Sequence, residues 1–122
     1  MRTFFFDTYA FFELIGGNRN YDSYSDKVAI ITTKFNLMEL HYGLLVKYGK
    51  ETADKYYEEL AKFAIEIDDN AVMDANYFRV SMKNRNLSYI DCLGYMMAKA
   101  RNVKFLTGDR QFSDLTNVEY VK

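Results

Sequence analysis

Cysteine and long apolar runs are both scarce in this sequence, and each scarcity excludes a class of protein. Cys92 is the only cysteine in the 122 residues, so no internal disulfide can form and a reducing compartment is the simplest interpretation. No stretch reaches the roughly 18 apolar residues that a bilayer-spanning helix needs. The apolar run near the amino end stops at Asp7 and is too short for a signal peptide. We therefore expect a soluble, cytoplasmic protein with no membrane segment.

A surplus of charge of one sign is also missing. The 16 Lys and Arg residues nearly cancel the 17 Asp and Glu residues, which leaves a formal net charge of -1. No strong overall field is then available to attract nucleic acid or a membrane surface. A nucleic-acid ligand would need a local basic patch, or a metal ion that offsets the acids.

What the sequence does have is apolar and aromatic material for a core. Hydrophobic residues make up 49% of the chain and aromatic residues 17%. This composition fits one compact domain over residues 1–122, in which most of the aromatic rings fill the interior.

Short β-prone segments alternate with helical segments along the chain. The predicted strands are Thr3–Phe6, Val28–Ile31, Ile65–Ile67, Val103–Leu106 and Val118–Val121. The predicted helices cover residues 8–15, 34–48, 51–63, 71–83 and 89–101, with Thr32 or Thr33, Asn70 and Ser88 as predicted N-caps. Such alternation favours parallel pairing with right-handed crossovers. The predicted fold is an α/β protein, a three-layer α/β/α sandwich around a mainly parallel sheet.

Acidic residues fall where the strands of this sheet end. In an open parallel sheet, ligands bind beyond the carboxyl ends of the strands. Asp7 directly follows the first predicted strand, and Asp109 follows the fourth. Glu39 lies about two turns into the helix after the second strand, and Asp91 lies in the first turn of the helix before the fourth. The two helical acids reach the same edge if their helices start near it.

Three of these acids also have a purely structural interpretation. Asp7 and Asp109 stand at strand-to-helix turns, where Asp is a common N-cap. Asp91 stands three residues after Ser88, which is the spacing of a capping box. Taken singly, each is better explained as a cap than as a ligand.

Glu39 has no such explanation. It is flanked by Met38 and Leu40, and no Lys or Arg lies within helical reach of it. We therefore expect a partly buried carboxylate whose partner comes from elsewhere in the fold. Gly43, one turn on, is costly inside a helix and indicates that another element approaches closely there.

Converging carboxylates stay ionised together only if a cation lies among them. Mg²⁺ and Mn²⁺ prefer oxygen ligands and keep waters that a phosphate can replace. Such an ion activates water and neutralises charge on a leaving oxygen, so phosphodiester hydrolysis needs no His or Cys nucleophile. That suits a chain whose one histidine, His41, is best explained as structural.

Four short motifs, in this order and at this spacing, resemble the PIN domain, and among its members the small prokaryotic VapC-type toxins. They are Phe4-Phe5-Phe6-Asp7-Thr8, Leu37-Met38-Glu39-Leu40, Leu87-Ser88-Tyr89-Ile90-Asp91 and Phe105-Leu106-Thr107-Gly108-Asp109-Arg110-Gln111-Phe112. The resemblance implies a metal-dependent endoribonuclease that cuts RNA, acts as a homodimer and is blocked by a cognate antitoxin protein. It implies one or two Mg²⁺ or Mn²⁺ ions on the four acids that are both catalytic and metal-binding, Asp7, Glu39, Asp91 and Asp109. Thr8 and Thr107 would lie beside them as substrate contacts.

The sequence departs from the family pattern at Gln111. Many relatives carry a further acid at this position, so its replacement weakens the case for a second metal ion. Asp114 is a candidate substitute. Arg110, next to Asp109, is the basic residue best placed to contact an RNA backbone, although a salt bridge to a neighbouring acid explains it equally well.

Two alternatives stay open at this point. One is a PIN-type RNA-processing nuclease that is not paired with an antitoxin. The other, from a different class, is a catalytically silent module that binds a partner or resembles a receiver domain. A receiver domain would need adjacent acids after the first strand, where Asp7 stands alone.

Overall fold

The computed structural model describes all 122 residues and contains four strands and five α-helices. The strands are β1 (Arg2–Phe6), β2 (Val28–Ile31), β3 (Lys104–Thr107) and β4 (Val118–Tyr120). The α-helices are α1 (Thr8–Ile15), α2 (Lys34–Tyr48), α3 (Lys50–Leu60), α4 (Asp69–Ser81) and α5 (Tyr89–Ala100). Single 3-10 segments occupy Arg19–Tyr24, Ala61–Phe63 and Arg110–Phe112. No helix is both long enough and apolar enough to cross a membrane.

All strand pairs are parallel, in the order β2-β1-β3-β4. Phe5 of β1 pairs with Ile31 of β2 on one side and with Phe105 of β3 on the other. Alternate side chains of β1 point to opposite faces, so that Phe4 and Phe6 join one core cluster and Phe5 joins the other. The first cluster includes residues of α1, α2 and α3, and the second includes residues of α4 and α5. The predicted three-layer α/β/α sandwich is therefore confirmed.

The predicted strand Ile65–Ile67 is wrong. In this region the only ladder contact is an isolated bridge between Thr32 and Ala64, closed by the Ile65 amide on the Thr32 carbonyl at 2.9 Å. Because β2 ends at Ile31, no neighbouring strand continues to pair with the following residues. Ile65 and Ile67 instead pack as partly buried side chains against the second core cluster, which accounts for their alternating pattern.

The cap predicted for α4 is also wrong by two residues. The side chain of Asp68, not Asn70, accepts a hydrogen bond from the Ala71 amide at 2.8 Å, and the helix starts at Asp69. The other predicted caps are confirmed, since Thr33 accepts from the Asn36 amide and Ser88 caps α5.

Two glycines mark places where helices approach their neighbours closely. A Cβ atom on Gly94 of α5 would lie 2.8 Å from Cε1 of Phe5 and 3.2 Å from Cε1 of Phe105. A Cβ atom on Gly43 of α2 would collide with the ring of Phe12, which confirms the close approach expected there. Gly94 thus lets α5 lie directly on β1 and β3, one turn after Asp91.

Candidate active site

Asp7 occupies the carboxyl end of β1 and is almost fully buried, with 3% of its surface exposed. Its backbone amide donates to the carbonyl of Leu106 at 3.1 Å, which continues the pairing with β3. Its Oδ2 accepts a hydrogen bond of 2.8 Å from the Thr107 hydroxyl. Asp7 stands at the N-cap position of α1, yet its side chain makes no capping hydrogen bond. Capping therefore does not explain this acid.

The hydroxyl of Thr107 joins the ends of β1 and β3. While it donates to Asp7, its oxygen accepts from the backbone amide of Asp109 at 3.1 Å. Asp109 is half-buried, and its Oδ1 accepts from the Gln111 amide at 3.0 Å as the cap of the 3-10 segment. Thr107 thereby fixes both carboxylate-bearing turns to the same sheet edge.

Asp91 lies in a complete capping box at the start of α5. The Asp91 amide donates to the Ser88 hydroxyl at 3.0 Å, and the Ser88 amide donates to Oδ2 of Asp91 at 2.9 Å. The predicted box is confirmed. It engages one carboxylate oxygen of this half-buried acid.

Glu39 is exposed, and the expectation that it is partly buried is wrong. The buried face of α2 carries Leu37, Leu40 and Leu44, and Glu39 lies on the other side with the exposed Met38. Its carboxylate makes no hydrogen bond and no ion pair within the protein. Its charge nevertheless acts on both Asp7 and Asp91.

The four acids are electrostatically coupled without a compensating protein cation. The pKa of Asp7 is raised from 3.8 to about 7, first by burial and then by the charges of Asp91 and Glu39, which together outweigh the lowering by the Thr107 hydrogen bond. Burial likewise raises the pKa of Asp91, with the charges of Asp109 and Glu39 adding to the effect. The four ion pairs of the protein lie elsewhere and include none of these acids.

The donor set fits a hard divalent cation by its chemistry, because it consists of carboxylate oxygens whose mutual repulsion no Lys, Arg or His relieves. As they are oriented, no three Asp, Glu, His or Cys side chains are close enough together to hold one ion. Asp91 and Asp109 each have one oxygen engaged in the hydrogen bond of their own turn. To bind one ion together, these side chains would have to reorient.

Comparison with known protein families identifies the family of this chain. The family model for the PIN domain matches residues 4–118. The chain belongs to the PIN domain family.

Solved structures with the same fold come from several bacteria. VapC20 of Mycobacterium tuberculosis is 19% identical, with a TM-score of 0.80 over 98% of this chain and 99% of that one. A toxin-antitoxin complex from Klebsiella pneumoniae gives 18% identity and a TM-score of 0.76 over 94% of each chain. VapBC2 from Rickettsia felis, bound to a promoter DNA fragment, is 20% identical, with a TM-score of 0.72 over 98% of this chain and 99% of that one. No curated protein sequence matches this PIN domain.

Thr8 of this PIN domain lies in a buried polar network that the sequence analysis missed. Its hydroxyl accepts from Nδ2 of Asn36 at 3.1 Å, and the Asn36 Oδ1 accepts from the Thr33 hydroxyl at 2.6 Å. The network joins α1 to the first turn of α2, three residues before Glu39. The Thr33-x-x-Asn36 spacing at a helix start is the signal that could have found Asn36. Substrate contact by Thr8 stays a prediction.

The residues around Gln111 are arranged differently from what the sequence suggested. Asp114 is not a substitute ligand, because both of its carboxylate oxygens bind the guanidinium of Arg85, at 2.7 and 2.8 Å. The Gln111 side chain accepts from the Asn86 amide at 2.8 Å and donates to the Asn86 carbonyl at 3.1 Å. Gln111 thus ties the loop before α5 to the turn of Asp109. Arg110 is exposed and forms no ion pair, so its contact with RNA stays a prediction.

Proposed function

We propose that this PIN domain is a Mg²⁺- or Mn²⁺-dependent endoribonuclease and the toxin of a type II toxin-antitoxin pair. The observation that carries the proposal is the position of Asp7, Asp91 and Asp109 at the carboxyl edge of a parallel sheet, with Glu39 near enough for its charge to act on Asp7 and Asp91. No cationic side chain forms an ion pair with any of the four. Family membership and the fold shared with VapC20, a Sarcin-Ricin loop cleaving toxin, support a nuclease that acts on RNA.

The protein's own residues supply position and charge for this chemistry. Asp7, held by Thr107, is the most deeply buried of the four candidate ligands of the ion, and Asp91 is oriented by its capping box. The positive end of α5 helps to keep Asp91 ionised. A divalent ion held by these acids would lower the pKa of its bound water and neutralise charge on the leaving oxygen. Glu39, exposed on α2, is free to approach the same place from the solvent side.

An antitoxin partner belongs to the same proposal. An apolar hollow of about 380 Å³ next to the acids is lined by Phe35, Met38, Tyr89 and Ile90 among others. Phe35 and Met38 are 46% and 57% exposed, which suits a surface that a protein partner covers. The Klebsiella and Rickettsia neighbours are toxin-antitoxin and VapBC structures. A homodimer is the expected assembly of the toxin, and a small antitoxin-like reading frame beside the gene is the expected genomic setting.

Cleavage of single-stranded RNA by the purified protein tests the proposed activity. We expect cleavage in Mn²⁺ or Mg²⁺ that stops with EDTA. Asp7→Asn and Asp91→Asn should each lose at least about 100-fold in rate, since even outer-sphere changes at metal sites cost 10–100-fold. Circular dichroism should show that both variants keep the fold.

Asp26→Asn is the matched control, because Asp26 is an exposed loop acid without hydrogen bonds or ion pairs. It should cut RNA at the wild-type rate. Wild-type rates in both Asp7→Asn and Asp91→Asn, or activity that resists EDTA, would rule out the proposed site.

A further inference from the structure

A basic depression lies beside the acidic edge, between α4 and the loop that leads into α5. It has a volume of about 600 Å³, and none of its eight lining residues is acidic. Arg79, Lys83 and Arg85 supply its charge, and Tyr89 supplies an aromatic ring. For a protein with a formal net charge of -1, this is the local basic patch that a nucleic-acid ligand requires.

Two of the three positive charges are uncompensated. Arg85 is neutralised by Asp114, which binds its guanidinium through both carboxylate oxygens. Neither Arg79 nor Lys83 has a carboxylate within 4.0 Å. The depression therefore presents about two net positive charges to a ligand, as suits one or two phosphate groups.

Tyr89 is held as an exposed flat surface. Its side chain is 64% exposed, and the guanidinium carbon of Arg79 lies 4.1 Å from the ring centroid. Arg79 is itself fixed, because its Nε donates to the carbonyl of Leu87 at 3.1 Å. An arginine under an exposed ring strengthens the surface on which a nucleic-acid base stacks.

The depression is anchored to the acidic site rather than independent of it. Tyr89 is two residues before Asp91 in the same first turn of α5. Asn86, which lines the depression, is bound through both its amide and its carbonyl by the Gln111 side chain. The Gln111 amide in turn donates to Asp109. A strand that lies in the depression is thus kept in a fixed relation to two of the four acids.

We propose that this depression is a subsite for single-stranded RNA next to the scissile phosphodiester. One base stacks on Tyr89, and Arg79 and Lys83 contact the phosphates on either side of it. The inference rests on the proposed ribonuclease function and deepens it by assigning the path of the substrate. An exposed ring backed by a guanidinium, beside two unpaired cations, matches the alternating bases and phosphates of a nucleic-acid strand, and this favours RNA over an acidic protein segment.

Binding of a fluorescently labelled single-stranded RNA of about twelve nucleotides tests the subsite directly. All proteins carry Asp7→Asn, so that the probe is not cut, and binding is measured in Mg²⁺ over a series of salt concentrations. Tyr89→Leu should weaken binding by about 5-fold to 150-fold, whereas Tyr89→Phe should not. Lys83→Gln should lower the slope of log affinity against log salt by about 0.7, the contribution of one phosphate contact in a single strand.

Matched controls come from residues of the same type outside the depression. Tyr77 is 67% exposed on α4, and Lys104 is exposed at the opposite end of the sheet. Tyr77→Leu and Lys104→Gln should leave both the affinity and the salt slope unchanged. If they weaken RNA binding as much as Tyr89→Leu and Lys83→Gln, binding is diffuse and the subsite is wrong.

A small diester separates the subsite from the catalytic groups. In proteins with Asp7 intact, Tyr89→Leu and Lys83→Gln should lower kcat/KM for RNA but leave hydrolysis of bis(4-nitrophenyl) phosphate unchanged, because that substrate is too short to reach the depression. If Tyr89→Leu and Lys83→Gln weaken RNA binding but the protein with Asp7 intact cleaves no RNA, the proposed function is wrong and the subsite stands. RNA cleavage at wild-type kcat/KM by both variants would overturn the subsite alone. The subsite would also be wrong if Tyr89→Leu and Lys83→Gln bound RNA with unchanged affinity but no longer bound a polyglutamate peptide. That result would assign the surface to a protein partner.

Discussion

The unusual electrostatics of Asp7 make a stability prediction that is independent of any activity assay. In the fold the pKa of Asp7 is about 7, against an ordinary value of 3.8. Between these two pH values the folded protein holds a proton that the unfolded chain has released. The metal-free wild-type protein therefore loses stability as the pH rises from about 4 to about 7, and the loss stays constant above that.

Replacing Asp7 by Asn removes this loss while keeping an oxygen that accepts the Thr107 hydrogen bond. The shift of about 3 pKa units at about 1.36 kcal/mol each sets an upper limit of about 4 kcal/mol at pH 8. Water and side-chain relaxation around the charge reduce this, and we expect Asp7→Asn to gain about 1–2 kcal/mol more at pH 8 than at pH 5. For a chain of this size that corresponds to about 3–10 °C in Tm.

Thermal unfolding in EDTA at pH 5 and pH 8 measures the effect, with Asp26→Asn as the control that should match wild type. Saturating Mg²⁺ should then shrink the advantage of Asp7→Asn, since an ion bound to the folded state stabilises the wild-type site more. A Tm for Asp7→Asn that is no higher than wild type at pH 8, or raised equally at both pH values, would refute the reasoning.

Three further substitutions test the hydrogen bonds and the close packing around the site. Gln111→Glu keeps the shape of the side chain but replaces the group that donates to the Asn86 carbonyl by an acceptor. We expect it to lower the free energy of unfolding in EDTA by about 1–2 kcal/mol. Wild-type stability in denaturant unfolding would contradict a stabilising role of the hydrogen bonds between Gln111 and Asn86. Gly94→Ala should cost about 1–3 kcal/mol because the rings of Phe5 and Phe105 are fully buried and cannot move aside. Gly43→Ala should cost less, since the partly exposed ring of Phe12 can swing away, and equal losses in the two variants would count against this account.

Features that depend on local chemistry could be predicted from the sequence. Ser88 is predictable as a cap, and so is one of Thr32 and Thr33, because a side-chain oxygen and an amide three residues on are neighbours in any helix start. The structure shows that Thr33 is the cap of α2. Asp68 was missed because the neighbouring Asn70 offers the same chemistry, and only the actual start of the helix distinguishes them. The false strand at Ile65–Ile67 has the right alternation but lacks a neighbour to pair with, which no local pattern reveals.

Features that depend on tertiary packing could not be predicted. The sequence predicts a partly buried Glu39, but the residue is exposed, because packing against other elements decides which face of α2 is buried. The bond from Gln111 to Asn86 spans 25 residues of sequence, so the sequence indicated only a missing acid at this position. The stacking of Arg79 on Tyr89 also depends on tertiary packing, because it joins α4 to α5. No local sequence pattern indicates this contact.

The hydrogen bond between Thr107 and Asp7 joins residues 100 positions apart, and the Asp7 amide meets β3 at the same place. The part of the acidic edge formed by Asp7 and Asp109 therefore assembles only when β3 pairs with β1. A folding intermediate in which β3 has not yet paired with β1 cannot bring Asp7 to Asp109, whatever helices it has formed. The helices alone therefore cannot assemble this acidic edge, and any activity that depends on it requires the completed pairing of β1 with β3.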